Sequence, residues 1–83
     1  MNRNEIFEQL KDILVSSDSR YTQVISTCTE ATNVRTELGL SSTGMLYVLI
    51  AMEETFGAIF DDASANTFET IGDIVTYIQE RVK

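Results

Sequence analysis

Ile71, Ile74, Val75, Ile78 and Val82 recur at the three- and four-residue spacing of one helix face. Thr70 stands three residues before Asp73, a capping box with Asp in the acidic place, so the spacing predicts a helix over 70–82. A second stripe, Ile6, Leu10, Ile13 and Leu14, is flanked by Phe7 and Val15 and predicts a helix over 4–17. Asn4 is the expected cap, Glu5 and Glu8 suit the first turn, and Ser16-Ser17-Asp18-Ser19 ends the element. Met45, Val48, Leu49, Met52 and Phe56 predict a helix over 42–56, with Gly57 as its stop.

These elements imply an all-α fold: a small bundle of three main helices plus one short helix, with a long loop between the first two. The expected core is Ile6, Leu10, Leu14, Val48, Leu49, Met52, Phe56, Ile71, Ile74, Val75 and Ile78. Residues 18–41 are rich in Thr, Ser and Asn and alternate too poorly for a strand. They read as a long connection anchored by Val24, Ile25, Val34 and Leu38, because long loops in compact domains need such anchors. Residues 61–67 allow one short helical turn or a loop.

Composition narrows the chemistry. The chain has 83 residues, which is one domain over 1–83, and a monomer of this size buries only about 60% of its extended surface. There is no His, which removes Ser-His and Cys-His nucleophile pairs and the ordinary zinc site, so no catalytic or metal-ligating residue is assigned. The one cysteine, Cys28, cannot make an internal disulfide and reads as a small apolar filler. Six basic against thirteen acidic residues leave a net charge of −7, which argues against nucleic acid and anionic membranes as partners. The apolar run from Met45 to Met52 is too short to cross a bilayer, and Met1 to Glu5 does not resemble a secretory signal. A cytoplasmic monomer is the expectation.

The charge is unevenly spread. Arg3, Lys11, Arg20 and Arg35 lie early, and no further basic residue appears until Arg81. Between Arg35 and Arg81 stand Glu37, Glu53, Glu54, Asp61, Asp62, Glu69, Asp73 and Glu80, an acidic stretch suited to a basic partner or to plain solvation. The middle helix is also too apolar for one buried face. At about 100° per residue, Leu46 and Ile50 line up with Ser42, with Glu53 and Glu54 beyond. That second face is either covered by the long loop or a binding surface.

The run Glu37-Leu38-Gly39-Leu40-Ser41-Ser42, then Met52-Glu53-Glu54-Thr55-Phe56, then Phe68-Glu69-Thr70-Ile71-Gly72-Asp73-Ile74, resembles the acyl carrier protein family in three blocks in register. That family starts its second helix with Leu-Gly-x-Asp-Ser-Leu. The likeness extends from about Glu5 to Val82 in length and helix order. It implies a carrier and not an enzyme: a serine hydroxyl, here Ser42, is joined through a phosphodiester to 4′-phosphopantetheine donated by coenzyme A, and the arm's thiol holds acyl groups as thioesters. A helix N-terminus suits the phosphate, and the attached thiol explains how a His-free chain takes part in acyl chemistry. The implied partners are a phosphopantetheinyl transferase and acyl-loading or acyl-processing enzymes with basic docking patches, in a fatty-acid, polyketide or similar pathway. Leu46, Ile50, Glu53 and Glu54 are the expected docking surface, with Asp61 and Asp62 as extensions.

Ser41 is the competing attachment residue, standing where the family has Asp, and a Ser there also suits a helix cap. Thr43 replaces the Leu after the serine, while Gly44 and Tyr47 occupy places that are often acidic. A carrier dedicated to one pathway or partner fits these departures better than the general fatty-acid carrier of a cell. An unmodified acidic interaction module with the same fold, and a peptidyl carrier loaded with an amino acid, are the alternatives. Asp62, Ser64, Asn66 and Asp73 are spaced faintly like a calcium loop, but Thr67 stands where such a loop needs Gly.

Overall fold

Each apolar stripe becomes a helix: α1 (Arg3–Ser17), α3 (Ser42–Phe56) and α4 (Ile71–Arg81), with a five-residue α2 (Tyr21–Ile25) inside the long connection. The computed structural model describes residues 2–17, 20–60, 63 and 67–82. The short helix therefore lies in the first connection. The alternative position at 61–67 falls mostly on residues outside the described ones.

The helix ends show why these elements begin and stop where they do. Asn2, not Asn4, caps α1: its Oδ1 accepts the Glu5 N–H at 2.8 Å, and its own N–H donates to Glu5 Oε1 at 3.2 Å. This reciprocal pair satisfies two N–H groups at once and starts the helix a residue earlier than expected. Thr70 and Asp73 form the anticipated capping box at α4, with Thr70 Oγ1 accepting the Asp73 N–H and Asp73 Oδ2 accepting the Thr70 N–H. α3 ends at Gly57, whose φ of 65° is left-handed and lets the chain turn without a Cβ clash.

α2, α3 and α4 each pack against α1, which is the hub of the bundle. Ile6, Leu10 and Leu14 from α1 meet Met45, Val48, Leu49 and Met52 from α3 and Ile71, Ile74, Val75 and Ile78 from α4 in one buried cluster. Ile25, Val34 and Leu38 join it from the connection, as anticipated, while Val24 is only partly covered. Two expectations shift. Phe56 is half-buried at the end of α3, where the chain turns away, and Met45 is fully inside. Leu40, Phe60 and Phe68 also enter the core from loops, where periodicity gives no signal.

The long connection is stitched to the start of α4. Val34 N donates to the Glu69 carbonyl at 3.0 Å, Ile71 N to the Thr32 carbonyl at 3.0 Å, and Gly72 N to the Glu30 carbonyl at 2.8 Å. The approach is so close that a Cβ on Gly72 would lie 3.0 Å from the Glu30 carbonyl oxygen. Arg3 closes the same seam from α1, donating to Glu30, to Thr76 Oγ1 at 2.9 Å and to Gln79 Oε1 at 3.2 Å. These bonds hold the connection so that Gly39 (φ 74°) and Leu40 deliver the chain into α3.

Candidate functional site

The start of α3 is built from both sides. Leu40 is buried, and its N–H donates to the Val34 carbonyl at 2.9 Å, which fixes the entry of the chain. Ser41 is the N-cap: its backbone is extended, and its Oγ accepts the Gly44 N–H at 3.0 Å. Its carbonyl accepts the Met45 N–H at 2.9 Å. Ser42 is the first helical residue and is exposed. Among the described residues, neither its hydroxyl nor the N–H groups of Ser42 and Thr43 make a hydrogen bond. The two serines thus have different environments: one hydroxyl occupied as a cap, the next one free at the helix start, where unpaired N–H groups and the dipole favour an anion.

From Ser42 an exposed ridge runs down α3. Leu46 is 50% and Ile50 57% exposed, and Glu54 is exposed beyond them. The long loop does not cover this face. Glu53 behaves differently: it is half-buried, and its Oε2 accepts the Phe60 N–H at 2.8 Å, so its carboxylate also braces the loop after α3. Two exposed apolar side chains were not anticipated, Tyr47 at 54% and Ile59 at 76%. The first turn of α3 has no acidic residue. Asp61 and Asp62 lie outside the described residues, as do Asp62, Ser64 and Asn66 of the faint calcium spacing.

The remaining singled-out residues take structural positions. Asp73, the last member of that spacing, spends its carboxylate on the backbone N–H groups of Thr70 and Glu69, each at 3.0 Å, and those bonds hold it below the usual carboxylate range. Among the described residues, no group of three His, Cys, Asp or Glu is placed to hold a metal ion. Cys28 is partly buried and its Sγ donates to the Ile25 carbonyl at 3.3 Å; burial pushes its thiol up, away from the reactive thiolate. Tyr77, without an evident partner in the sequence, stacks edge-on against Phe60 and Phe68 with centroids 5.3 Å apart in each pair, and Arg81 lies 3.7 Å over its ring. Among the described residues, no helix is long and apolar enough to cross a membrane.

No protein-family model matches the chain. Individual relatives do. The acyl carrier protein of Aster yellows witches'-broom phytoplasma is 38% identical over 73 residues, covering 88% of this chain and 92% of the relative. That of Thermotoga maritima is 31% identical over 81 residues, covering 98% of this chain and 96% of the relative. That of Lactobacillus acidophilus is 30% identical over 79 residues, 95% of each chain. The chain belongs to the acyl carrier protein family. Its all-α bundle, with four helices among the described residues, fits that family, and its role is that of a carrier in acyl handling. Sequence reasoning missed Arg20, at the N-cap of α2, and Tyr21, its first residue, which border the same helix start in a groove with Ser41, Thr43 and Tyr47. Periodicity gives no such signal, because these residues are about twenty positions from the serine in the chain.

Proposed function

We propose that the chain carries acyl groups on 4′-phosphopantetheine attached at Ser42, and presents them to enzymes of a fatty-acid, polyketide or similar pathway. The observation that carries this reading is the contrast between the two serines. Both serines are exposed, but the Ser41 hydroxyl accepts the Gly44 N–H, whereas the Ser42 hydroxyl makes no such bond and is left for a transferase. The residues fit the group: Ser42 would hold it through a phosphodiester, with the unbonded N–H groups of Ser42 and Thr43 beside the phosphate. The group supplies a thiol for thioester formation. The protein supplies position and a surface, since it has no His and burial pushes the thiol of its own Cys28 up, away from the thiolate.

Leu46, Ile50 and Glu54 form the ridge that partners read, with half-buried Glu53 at its margin, and the sequence offers Asp61 and Asp62 as further acidic candidates. A partner with an apolar groove rimmed by basic residues matches that mixture. The transferase that modifies Ser42 is itself such a partner, with coenzyme A as donor.

The test is intact mass after incubation with coenzyme A and a promiscuous phosphopantetheinyl transferase. A gain of one phosphopantetheine is expected in the natural protein and in Ser41→Ala, and none in Ser42→Ala. Absence of any gain with several transferases would favour an unmodified interaction module. Loading that survives in Ser42→Ala and disappears in Ser41→Ala would move the site to Ser41.

A further inference from the structure

One residue of α3 fixes the turn that follows it. Gly57 N and Ala58 N both donate to the Glu53 carbonyl, at 2.9 and 3.3 Å. Phe60 N donates to Glu53 Oε2 at 2.8 Å, so Glu53 bonds three residues of the turn through its backbone and its side chain. The Phe60 ring is buried and meets the Tyr77 ring edge-on, which pins the far end of the turn to α4. Between these fixed residues stands Ile59, more exposed than any other large hydrophobic residue among the described ones.

Ile59 does not stand apart from the ridge on α3. Glu53 follows Ile50 by three positions and Leu46 by seven, which puts the three side chains on one side of the helix. The Phe60 N–H reaches the Glu53 carboxylate, so the peptide joining Ile59 to Phe60 lies at the C-terminal end of that same side.

We propose that Ile59 is a docking contact for the enzymes that act on this carrier, and that Glu53 is the positioning residue that sets it in place. The inference rests on the reading of Leu46, Ile50 and Glu54 as the partner surface and extends that surface past the end of the helix. The occupant is a partner enzyme whose groove is apolar along its length. Leu46, Ile50 and Ile59 are three exposed aliphatic side chains, whereas α3 contributes one exposed carboxylate, Glu54. A charge at the margin steers approach and register, and aliphatic side chains removed from water supply the affinity. The Glu53 carboxylate, already accepting the Phe60 N–H, acts through the turn and not as a counter-ion for the partner. Fixing the turn in the free protein also removes the ordering that a loose loop would require on binding.

Steady-state loading of the full chain by a promiscuous phosphopantetheinyl transferase, with coenzyme A saturating, tests both roles. Ile59→Ala is expected to raise the KM for the carrier roughly tenfold with little change in kcat, as loss of binding surface does. Glu53→Ala is expected to raise KM similarly. Glu53→Gln, whose amide oxygen can still accept the Phe60 N–H, is expected to recover most of that loss. Combining Glu53→Ala with Ile59→Ala is expected to raise KM little beyond either alone, because both act through one contact. Methyl NMR of the natural protein needs no substitution: adding the transferase is expected to shift or broaden Leu46, Ile50 and Ile59 together. An unchanged KM in Ile59→Ala, a Glu53→Gln as impaired as Glu53→Ala, or no response of the Ile59 methyls overturns the proposal. Gain of the arm's mass in the same samples leaves the carrier reading intact in each of those cases, and no gain in the natural protein overturns both.

Discussion

Two adjacent serines with the same side chain separate because of where the helix begins. Ser41 lies outside α3 with extended backbone, so its Oγ faces the N–H of Gly44; Ser42 lies inside it and its hydroxyl points away from that task. Replacing Ser41 by Ala should therefore lower stability by about 1 kcal/mol, as loss of an N-cap does. Urea unfolding checks this, with Ser42→Ala expected to leave the midpoint nearly unchanged. The division was partly legible from residue types alone, since Ser is a favoured cap and the run Gly39-Leu40-Ser41-Ser42 marks a helix start. The groove beside it was not legible. Tyr47 has no partner that spacing would name, and its neighbours Arg20 and Tyr21 arrive only through tertiary packing.

Among the elements, the helices that sequence periodicity identified are the long ones. α1, α3 and α4 repeat their apolar residues over several turns, whereas the five residues of α2 make little more than one turn and give no period to read. The connection from Thr29 to Leu40 is ordered by backbone bonds to α4, and such bonds leave no trace in side-chain pattern. The capping box of α4 was readable because both partners are side chains at a fixed offset. It also sets a pH dependence. Asp73 ionises more readily in the folded chain than in the unfolded one, because its carboxylate accepts the N–H groups of Thr70 and Glu69. Its stabilisation is therefore complete above the ordinary carboxylate range and is lost as pH falls through the lower folded value. Asp73→Asn should flatten that acid limb. Thermal melts of both proteins from neutral to acidic pH measure it, and an unchanged slope in the variant would exclude Asp73 as a contributor.

At the scale of the whole molecule, α1 is packed by every other helix, and Arg3 ties its first turn to Glu30, Thr76 and Gln79. The hub stands early in the chain and one of its main partners, α4, stands late. This order has a consequence in time. While the chain is being synthesised, Ile6, Leu10 and Leu14 emerge long before Ile71, Ile74 and Ile78 exist to cover them. The bonds that order residues 30–34 likewise need Glu69, Ile71 and Gly72 as partners, so they wait for the same late segment. A version ending at Glu69 should keep little of the native structure and unfold without a cooperative transition, a prediction that circular dichroism melts can check. A sharp transition in that shorter chain would show that α1 and α3 form a stable pair unaided. For a growing polypeptide, then, the α4 side of this apolar face stays open until residues 71–78 are made, and an interrupted copy would offer that face and its unpaired seam to proteases.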